Sequence, residues 1–360
     1  MSARAAFERW LMRQWLSDGL YAQAMRPLAA LARSVVRRKQ RDFAQGRRHA
    51  SHPGVPVIVV GNVFVGGTGK TPVVIAITRA LKAYGYTPGI LSRGYGVAVG
   101  DAPVVGHQDI AASAFGDEPA LIHQATGAPI AVHPKRVDAA RALLSAYPRI
   151  DVLVSDDGLQ HLALARDVEI AVQDTRGIGN GRMLPAGPLR EPADRLDHVD
   201  FVVTNLTSGN ASGPAPTRTE SAGLASDLQA HHVEMRVVPA VAVHLNSGRT
   251  LALTTLISEL QGKRVAACAG IGQPDRFFRM LTDQGIVLNS TTALPDHYDF
   301  QHSPFARLAA DVVLVTAKDA VKCRRFNDER VWEIQVDAVF SPASFLDGVI
   351  ARLPPPRVRP

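Results

Sequence analysis

Cysteine is almost missing from this chain: it has two, Cys268 and Cys323, 55 positions apart. That count leaves no disulfide framework, the spacing fits no zinc site, and a reducing compartment suits both thiols. Long apolar runs are missing too. Nowhere does the sequence reach the ~18 uninterrupted apolar residues that a membrane-spanning helix needs, and no small-residue cleavage site follows a signal-like stretch. There is no low-complexity tract and no internal repeat. What remains is a chain of 360 residues, 46% apolar and 20% charged. That describes a folded globular protein with room for two domains.

Acidic residues are scarce in one place. In the first fifty positions eleven Arg and Lys stand against Glu8, Asp18 and Asp42, so this segment carries +8 and the remainder −1 of the net +7. Phe7, Trp10, Leu11, Trp15, Leu20, Leu28, Leu31 and Val35 interleave with the arginines on a helical period. This pattern predicts a basic amphipathic helix lying at a membrane interface, aromatics at the headgroup boundary and arginines toward anionic phosphates. The competing expectation is a helix packed on its own domain. Nucleic acid would also explain the charge, but no nucleic-acid motif accompanies it.

Beyond residue 50 the chain reads as strands alternating with helices. Val57–Asn62, Ile150–Ser155, Val168–Val172 and Phe201–Asn205 are short β-branched runs, joined by a strand-like stretch from Pro88 to Gly96. Helical periodicity covers 70–84, 117–126 and 135–146. The expectation is a parallel sheet flanked by helices over 51–205. Residues 206–240 read as a variable linker, with Ser, Gly, Ala, Thr and Pro concentrated in 206–230. A smaller α/β lobe follows over 241–350, with strands at 264–270 and 311–316 and a helix at 274–284.

The sharpest local signal is Val65-Gly66-Gly67-Thr68-Gly69-Lys70-Thr71, directly after a buried strand and directly before a helix. Glycines let successive N–H groups curl toward phosphate oxygens, and the helix dipole faces the same anion. Gly66, Gly67, Thr68, Gly69, Lys70 and Thr71 are therefore the nucleotide-binding candidates. Lys70 reaches the β- and γ-phosphates and Thr71 offers a hydroxyl to magnesium. The usual spacing puts a glycine at position 64, where this chain has Phe64.

A phosphate-loop enzyme needs a metal carboxylate at the end of a neighbouring strand. Asp156 and Asp157, in Ser155-Asp156-Asp157-Gly158-Leu159-Gln160-His161, fill that place at the mouth of an open sheet. Asp-Asp-Gly is also an ordinary turn. Asp117 and Glu118 of Gly116-Asp117-Glu118-Pro119 open a helix; they serve as cap and dipole partner, or supply a base for an acceptor hydroxyl. His297 stands among carboxylates in Asp296-His297-Tyr298-Asp299-Phe300, placed to tune one of them or simply solvated in a loop. Arg190 is a candidate to neutralise phosphate charge.

Taken together, these blocks resemble the tetraacyldisaccharide 4'-kinases of lipid A biosynthesis. The match runs through Val59–Asn62 into Gly66–Pro72, Leu91–Gly96, Gly116–Pro119, Asp156–His161 and Gly187–Pro192. It continues through Ala269–Gly272 to Phe278, Asp296–Phe300 and Thr316–Lys322, about residues 57–322 in all. The missing first glycine of the loop is shared by the family. The resemblance implies transfer of the ATP γ-phosphate, with Mg2+, to the 4'-hydroxyl of a tetraacylated glucosamine disaccharide 1-phosphate. It implies a monotopic enzyme on the cytoplasmic face of a Gram-negative inner membrane, with an acylated disaccharide lipid as substrate and no protein partner. It makes Asp117 the catalytic base and His297 its partner. Asp156 and Asp157 become the magnesium-associated pair, with Glu118, Gln160 and His161 close to the same centre. Two α/β lobes joined by a short strand connection, with the site in the cleft, are expected.

The alternative class is a membrane-associated GTPase switch, since Thr316-Ala317-Lys318-Asp319 resembles the guanine-reading [NT]-K-x-D element. Its Lys and Asp are adjacent instead of separated by one residue. A nucleotide-dependent nucleic-acid binder is the third reading.

Overall fold

The computed structural model describes residues 3–94, 97, 100–108, 110–206, 231–296 and 298–357. His297, Tyr95, Gly96 and most of the Ser/Gly-rich 206–230 segment lie outside the described residues.

In chain order the helices are α1 (Ala3–Leu16), α2 (Leu20–Ala24), α3 (Arg26–Ala44), α4 (Lys70–Ala83), α5 (Ala112–Phe115), α6 (Asp117–Thr126), α7 (Arg136–Ala146), α8 (Leu253–Glu259), α9 (Pro274–Asp283), α10 (Ala317–Cys323) and α11 (Phe345–Ile350). The strands are β1 (Val57–Gly61), β2 (Pro88–Ser92), β3 (Val104–Gly106), β4 (Ile130–Val132), β5 (Val152–Asp156), β6 (Val168–Asp174), β7 (Phe201–Asn205), β8 (His231–His244), β9 (Thr250–Ala252), β10 (Val265–Ala269), β11 (Ser290–Ala293), β12 (Val312–Thr316) and β13 (Val331–Ser341).

All thirteen strands belong to one sheet in the order β11-β10-β12-β13-β8-β7-β6-β1-β5-β2-β4-β3, with β9 on the side of β8. The expected α/β class with a phosphate-loop core is what the chain adopts. β1 lies between β5 and β6, parallel to both. It reads Val-Ile-Val-Val-Gly and is buried at every position, the pattern of a strand covered on both faces. Alternation splits its side chains. Ile58 and Val60 pack under α4 with Val73, Ile77 and Leu81, while Val57 and Val59 pack under α7 with Ala140 and Leu143. The second half repeats this arrangement: Ala267, Ala269 and Leu314 meet Phe278 and Leu281 of α9, and Cys268, Val313 and Val315 meet Phe300 and Phe305.

Three expectations change. First, residues 231–240, read as part of a linker, are strand: β8 is 14 residues long and pairs antiparallel with β13, with a register shift between Gln335 and Val336. The spacing of Val233 and Met235, both buried, is strand periodicity. Second, the 241–350 segment does not stay in the second half. β13 crosses back, and Phe340, Phe345, Val349 and Leu353 pack in the same core as Ile58 and Val154. Third, the basic N-terminal segment is three helices, turned at Asp18, whose φ is 52°, and at Met25.

Part of that segment packs on its own domain, and part of its apolar surface is exposed. Trp15, expected on an outer apolar face, is buried and donates its indole N–H to the Pro185 carbonyl at 2.9 Å. Met12 and Val36 pack on Val63, Phe64 and Leu189. Phe7, Trp10, Leu16, Leu20, Leu28, Leu31 and Val35 are exposed among the arginines. No helix of the described residues is long and apolar enough to cross a membrane.

Candidate active site

β1 delivers the chain to the phosphate loop, and the next segment holds that loop in shape. Asn62, buried, donates from Nδ2 to the carbonyls of Phe64 at 2.6 Å and Gly66 at 3.2 Å. Phe64 explains why no glycine stands there. Its φ is not positive, its ring is buried, it bridges to Leu189, and the Arg176 guanidinium lies 4.4 Å over it. A glycine would give up that anchor for freedom the backbone does not use. Freedom is needed at Gly69, with φ 94°, where a Cβ would also sit 2.4 Å from Asn205 Nδ2. Asn205, at the end of β7, donates to the Thr68 carbonyl at 3.2 Å and so closes over the loop. At Gly66 and Gly67 a Cβ would meet nothing within 4 Å, so the concave side is open space.

β5 ends on the acidic pair, and the structure gives its two members different surroundings. Asp157, at φ 50°, receives both oxygens' worth of contact from Arg190 Nη1, at 3.1 Å each, and lies 3.4 Å from Lys70 Nζ. Burial raises its proton affinity, but Lys70 and Arg190 outweigh it and hold the carboxyl below the usual range. Asp156 is 2% exposed. Burial first, then repulsion from Glu118, pushes it up to about 7. Below it lies Arg136, fully buried, donating to the Asp156 carbonyl at 3.0 Å and the His133 carbonyl at 2.8 Å. Glu118 is thus brought to the same centre as Asp156.

Asp117 opens α6 and pairs with Lys322 of α10 across the two halves, Nζ to Oδ2 2.8 Å. Gln160 is turned to the back of the loop: it donates to the Asn62 carbonyl at 3.1 Å and to Glu191 at 2.6 Å. Gln40 of α3 takes the other Glu191 oxygen at 2.9 Å, and Lys39 donates to the Gln160 carbonyl at 3.1 Å, so the basic helix buttresses the loop. His161 is pushed down to about 4 by burial, helped by Arg136, Arg93 and Lys39, and is a neutral imidazole at neutral pH. His297 lies outside the described residues.

Nothing supports the guanine-reading alternative. Asp319 is 1% exposed, its Oδ2 accepting from Gly270 N–H at 2.9 Å and the Thr316 hydroxyl at 2.6 Å. Through that oxygen it ties the start of α10 to the end of β10, while Oδ1 is buried without a hydrogen-bond partner. Sequence reasoning missed Arg136, which fell inside the helical span 135–146 without a role, and Lys322, which closed a matched block without one. Their contacts are tertiary, and no spacing announces them.

The residues present fit a magnesium nucleotide. Thr68 Oγ1 and Asp156 Oδ1 are buried without a hydrogen-bond partner in the protein, and a Cβ at Gly66 or Gly67 would meet only open space. Among the described residues no three His, Cys, Asp or Glu cluster as a metal cage. A magnesium ion would be held instead by one or two carboxylates, a hydroxyl, phosphate oxygens and water.

Fold and site together define a phosphate-loop kinase with an α/β sheet. Residues 21–353 match the family described as tetraacyldisaccharide-1-P 4'-kinase, and the chain belongs to that family. It is 51% identical over 353 residues to the tetraacyldisaccharide 4'-kinase of Bordetella petrii, covering 98% of this chain and 96% of that one. It is 53% identical over 353 residues to that of Bordetella parapertussis, covering 98% and 99%. The same-named protein of Herminiimonas arsenicoxydans is 42% identical, covering 97% of each. The structure resembles the crystal structure of the "apo" form of LpxK from Aquifex aeolicus in complex with ATP: TM-score 0.76, 25% identity, covering 92% of this chain and 98% of that one.

Proposed function

We infer that the site carries out the family's reaction with Asp117 as base and Asp156 as the metal carboxylate. The reaction is ATP-dependent transfer of a γ-phosphate to the 4'-hydroxyl of a tetraacylated glucosamine disaccharide 1-phosphate, with Mg2+, in lipid A biosynthesis. The observation that carries the site assignment is the division of labour between the two adjacent carboxylates. Asp157 is neutralised by Lys70 and Arg190, whereas Asp156 keeps a buried oxygen without a partner. Asp157 therefore orders the two cations that meet the transferring phosphoryl group. Asp156, with Thr71 and Glu118, would hold Mg2+, which would supply charge neutralisation on the phosphates. Asp117 takes the hydroxyl's proton, and His297 is its proposed partner. Residues 51–205 bind nucleotide, and the second lobe supports the base. The test is label transfer from γ-labelled ATP to tetraacylated disaccharide 1-phosphate in mixed micelles. Labelled lipid with ATP and little with GTP is expected; GTP hydrolysis without lipid labelling would return the case to the switch reading.

We also assign the exposed face of α1–α3 to the cytoplasmic surface of the inner membrane. An acylated substrate does not leave a bilayer cheaply, at about 0.8 kcal/mol per methylene. The arginine-rimmed aromatics, Phe7 stacked on Trp10 at 5.7 Å, lie where an interfacial helix needs them. Because Trp15 is bonded to Pro185, removing the whole segment would disturb the loop as well. The informative variant is Phe7→Ser/Trp10→Ser. It is expected to raise the KM for micellar lipid at least tenfold, a fully buried apolar anchor being worth roughly 1.5–3 kcal/mol, with the KM for ATP unchanged. An equal rise in both constants would remove the docking role.

A further inference from the structure

The second half of the molecule reaches the proposed base through Lys322. This residue sits in the last turn of α10. Its ammonium lies 2.8 Å from Asp117 Oδ2, donates to the Tyr298 carbonyl at 2.5 Å, and stands 5.6 Å from the Phe300 ring centroid. The two side chains are 13% and 11% exposed, so this is no solvent-screened surface pair. Two turns further along α6, Gln124 donates to Glu333 of β13 at 3.2 Å. The same carboxylate, itself fully buried, accepts from Arg324 at 3.2 Å. Helix α6 belongs to the nucleotide half, yet both its ends are held by the other half. The charged groups around the pair are Glu118 on α6, Lys318 and Asp319 on α10, and Asp296 in the preceding loop, bonded to Lys318 at 3.1 Å.

We propose that Lys322 is a positioning residue for phosphoryl transfer: it fixes the Asp117 carboxylate in the orientation from which it meets the acceptor hydroxyl. The inference rests on Asp117 being the base. A carboxylate at the first position of a helix has two side-chain torsions to settle. An ammonium anchored to a backbone carbonyl and an aromatic face supplies a fixed point for it. The acceptor geometry then depends on a half of the protein that has no phosphate loop of its own. Lys70 does not serve this purpose, because it is engaged with Asp157.

The test uses the full chain in mixed micelles, with kcat and the KM for ATP measured for Lys322→Met, Lys322→Arg, Asp117→Asn and the Asp117→Asn/Lys322→Met pair. Lys322→Met is expected to lower kcat about 30- to 100-fold, the scale of a 1 Å misplacement, with the KM for ATP within about twofold. Lys322→Arg, which keeps a cation and donors, is expected to recover about tenfold of that loss. In the Asp117→Asn background the methionine change should cost less than about threefold, since residues acting as a unit are not additive. Lys322→Met turning over within threefold of wild type, beside a crippled Asp117→Asn, would overturn the inference and leave the base in place. So would an undiminished loss in the Asp117→Asn background. Asp117→Asn at the wild-type rate would overturn the base itself, and this inference with it. Should Lys322→Met lose its melting transition, Lys322→Gln takes its place under the same thresholds.

Discussion

Replacing Asp117 by alanine is expected to lower kcat by about 10²–10⁴-fold, the range for a positioned general base, and to leave the KM for ATP within about twofold. The split follows from where the residue stands. Asp117 begins α6, outside the loop formed by Asn62, Gly69 and Asn205, and pairs with Lys322 of the other half. The side-chain bonds that shape the loop run through Asn62 and Asn205. Its loss therefore touches the acceptor side of an in-line displacement, where a proton leaves the sugar hydroxyl as the phosphoryl group arrives. Steady-state kinetics with varied ATP at saturating lipid read both constants. A comparable rise in the KM for ATP would mean that Asp117 acts through magnesium or the loop and not on the acceptor.

Asp156→Asn is expected to abolish transfer and yet to make the nucleotide-free protein melt higher. The carboxyl is buried, and burial together with Glu118 lifts it to about 7 from an ordinary value of 3.8. A group whose folded value is raised binds its proton more tightly in the folded state. Its contribution to stability is therefore present at low pH and is lost as pH rises through about 7. At pH 8 the folded, nucleotide-free protein holds a carboxylate that it would rather keep protonated. Asparagine removes that charge at nearly the same volume. Calorimetry should show the variant melting roughly 1–2 °C above wild type at pH 8, equivalent to about 1 kcal/mol, with the gap closing toward pH 6. A gap of the same size at both pH values would mean that the carboxylate's charge is not the cause. His161, held down at about 4 by burial, works in the other direction, its contribution being lost as pH falls below the ordinary imidazole range. Measuring the variant against wild type at each pH separates the two. The trade is the one expected of a site that binds a cation.

Much of this was legible in the sequence because it is local. Val57–Gly61 announces a strand covered on both faces, Gly66–Thr71 announces a phosphate loop, and their order fixes what lies at the mouth of the sheet. Family blocks then assigned the carboxylates. What stayed hidden depends on residues far apart in the chain. Phe64 stands where a glycine is usual because Leu189 and Arg176 make a place for its ring. Trp15 carries the same helical periodicity as Trp10 and Leu20, and only Pro185 draws it inward. Arg136 supports Asp156 from beneath through a backbone carbonyl, and residues 231–240 become strand because β13 returns to pair with them.

That last pairing has a mechanical meaning. β7 pairs with β8 only over His231–Met235, and β12 pairs with β13 only over Val331–Ile334. Between those stretches the sheet is two strands wide, with Pro239 opposite Val336 at the register shift. Two-stranded ribbons twist more readily than wide sheets, and a bulge increases the local twist. A hydrogen-bonded ladder resists stretching, however, so the joint behaves as a torsion bar: the second half can roll over the nucleotide without moving away from it. Such a roll would change the angle at which the Lys322–Asp117 contact meets an acceptor, while the phosphate loop, tied by Asn205 to β7, stays with the nucleotide half.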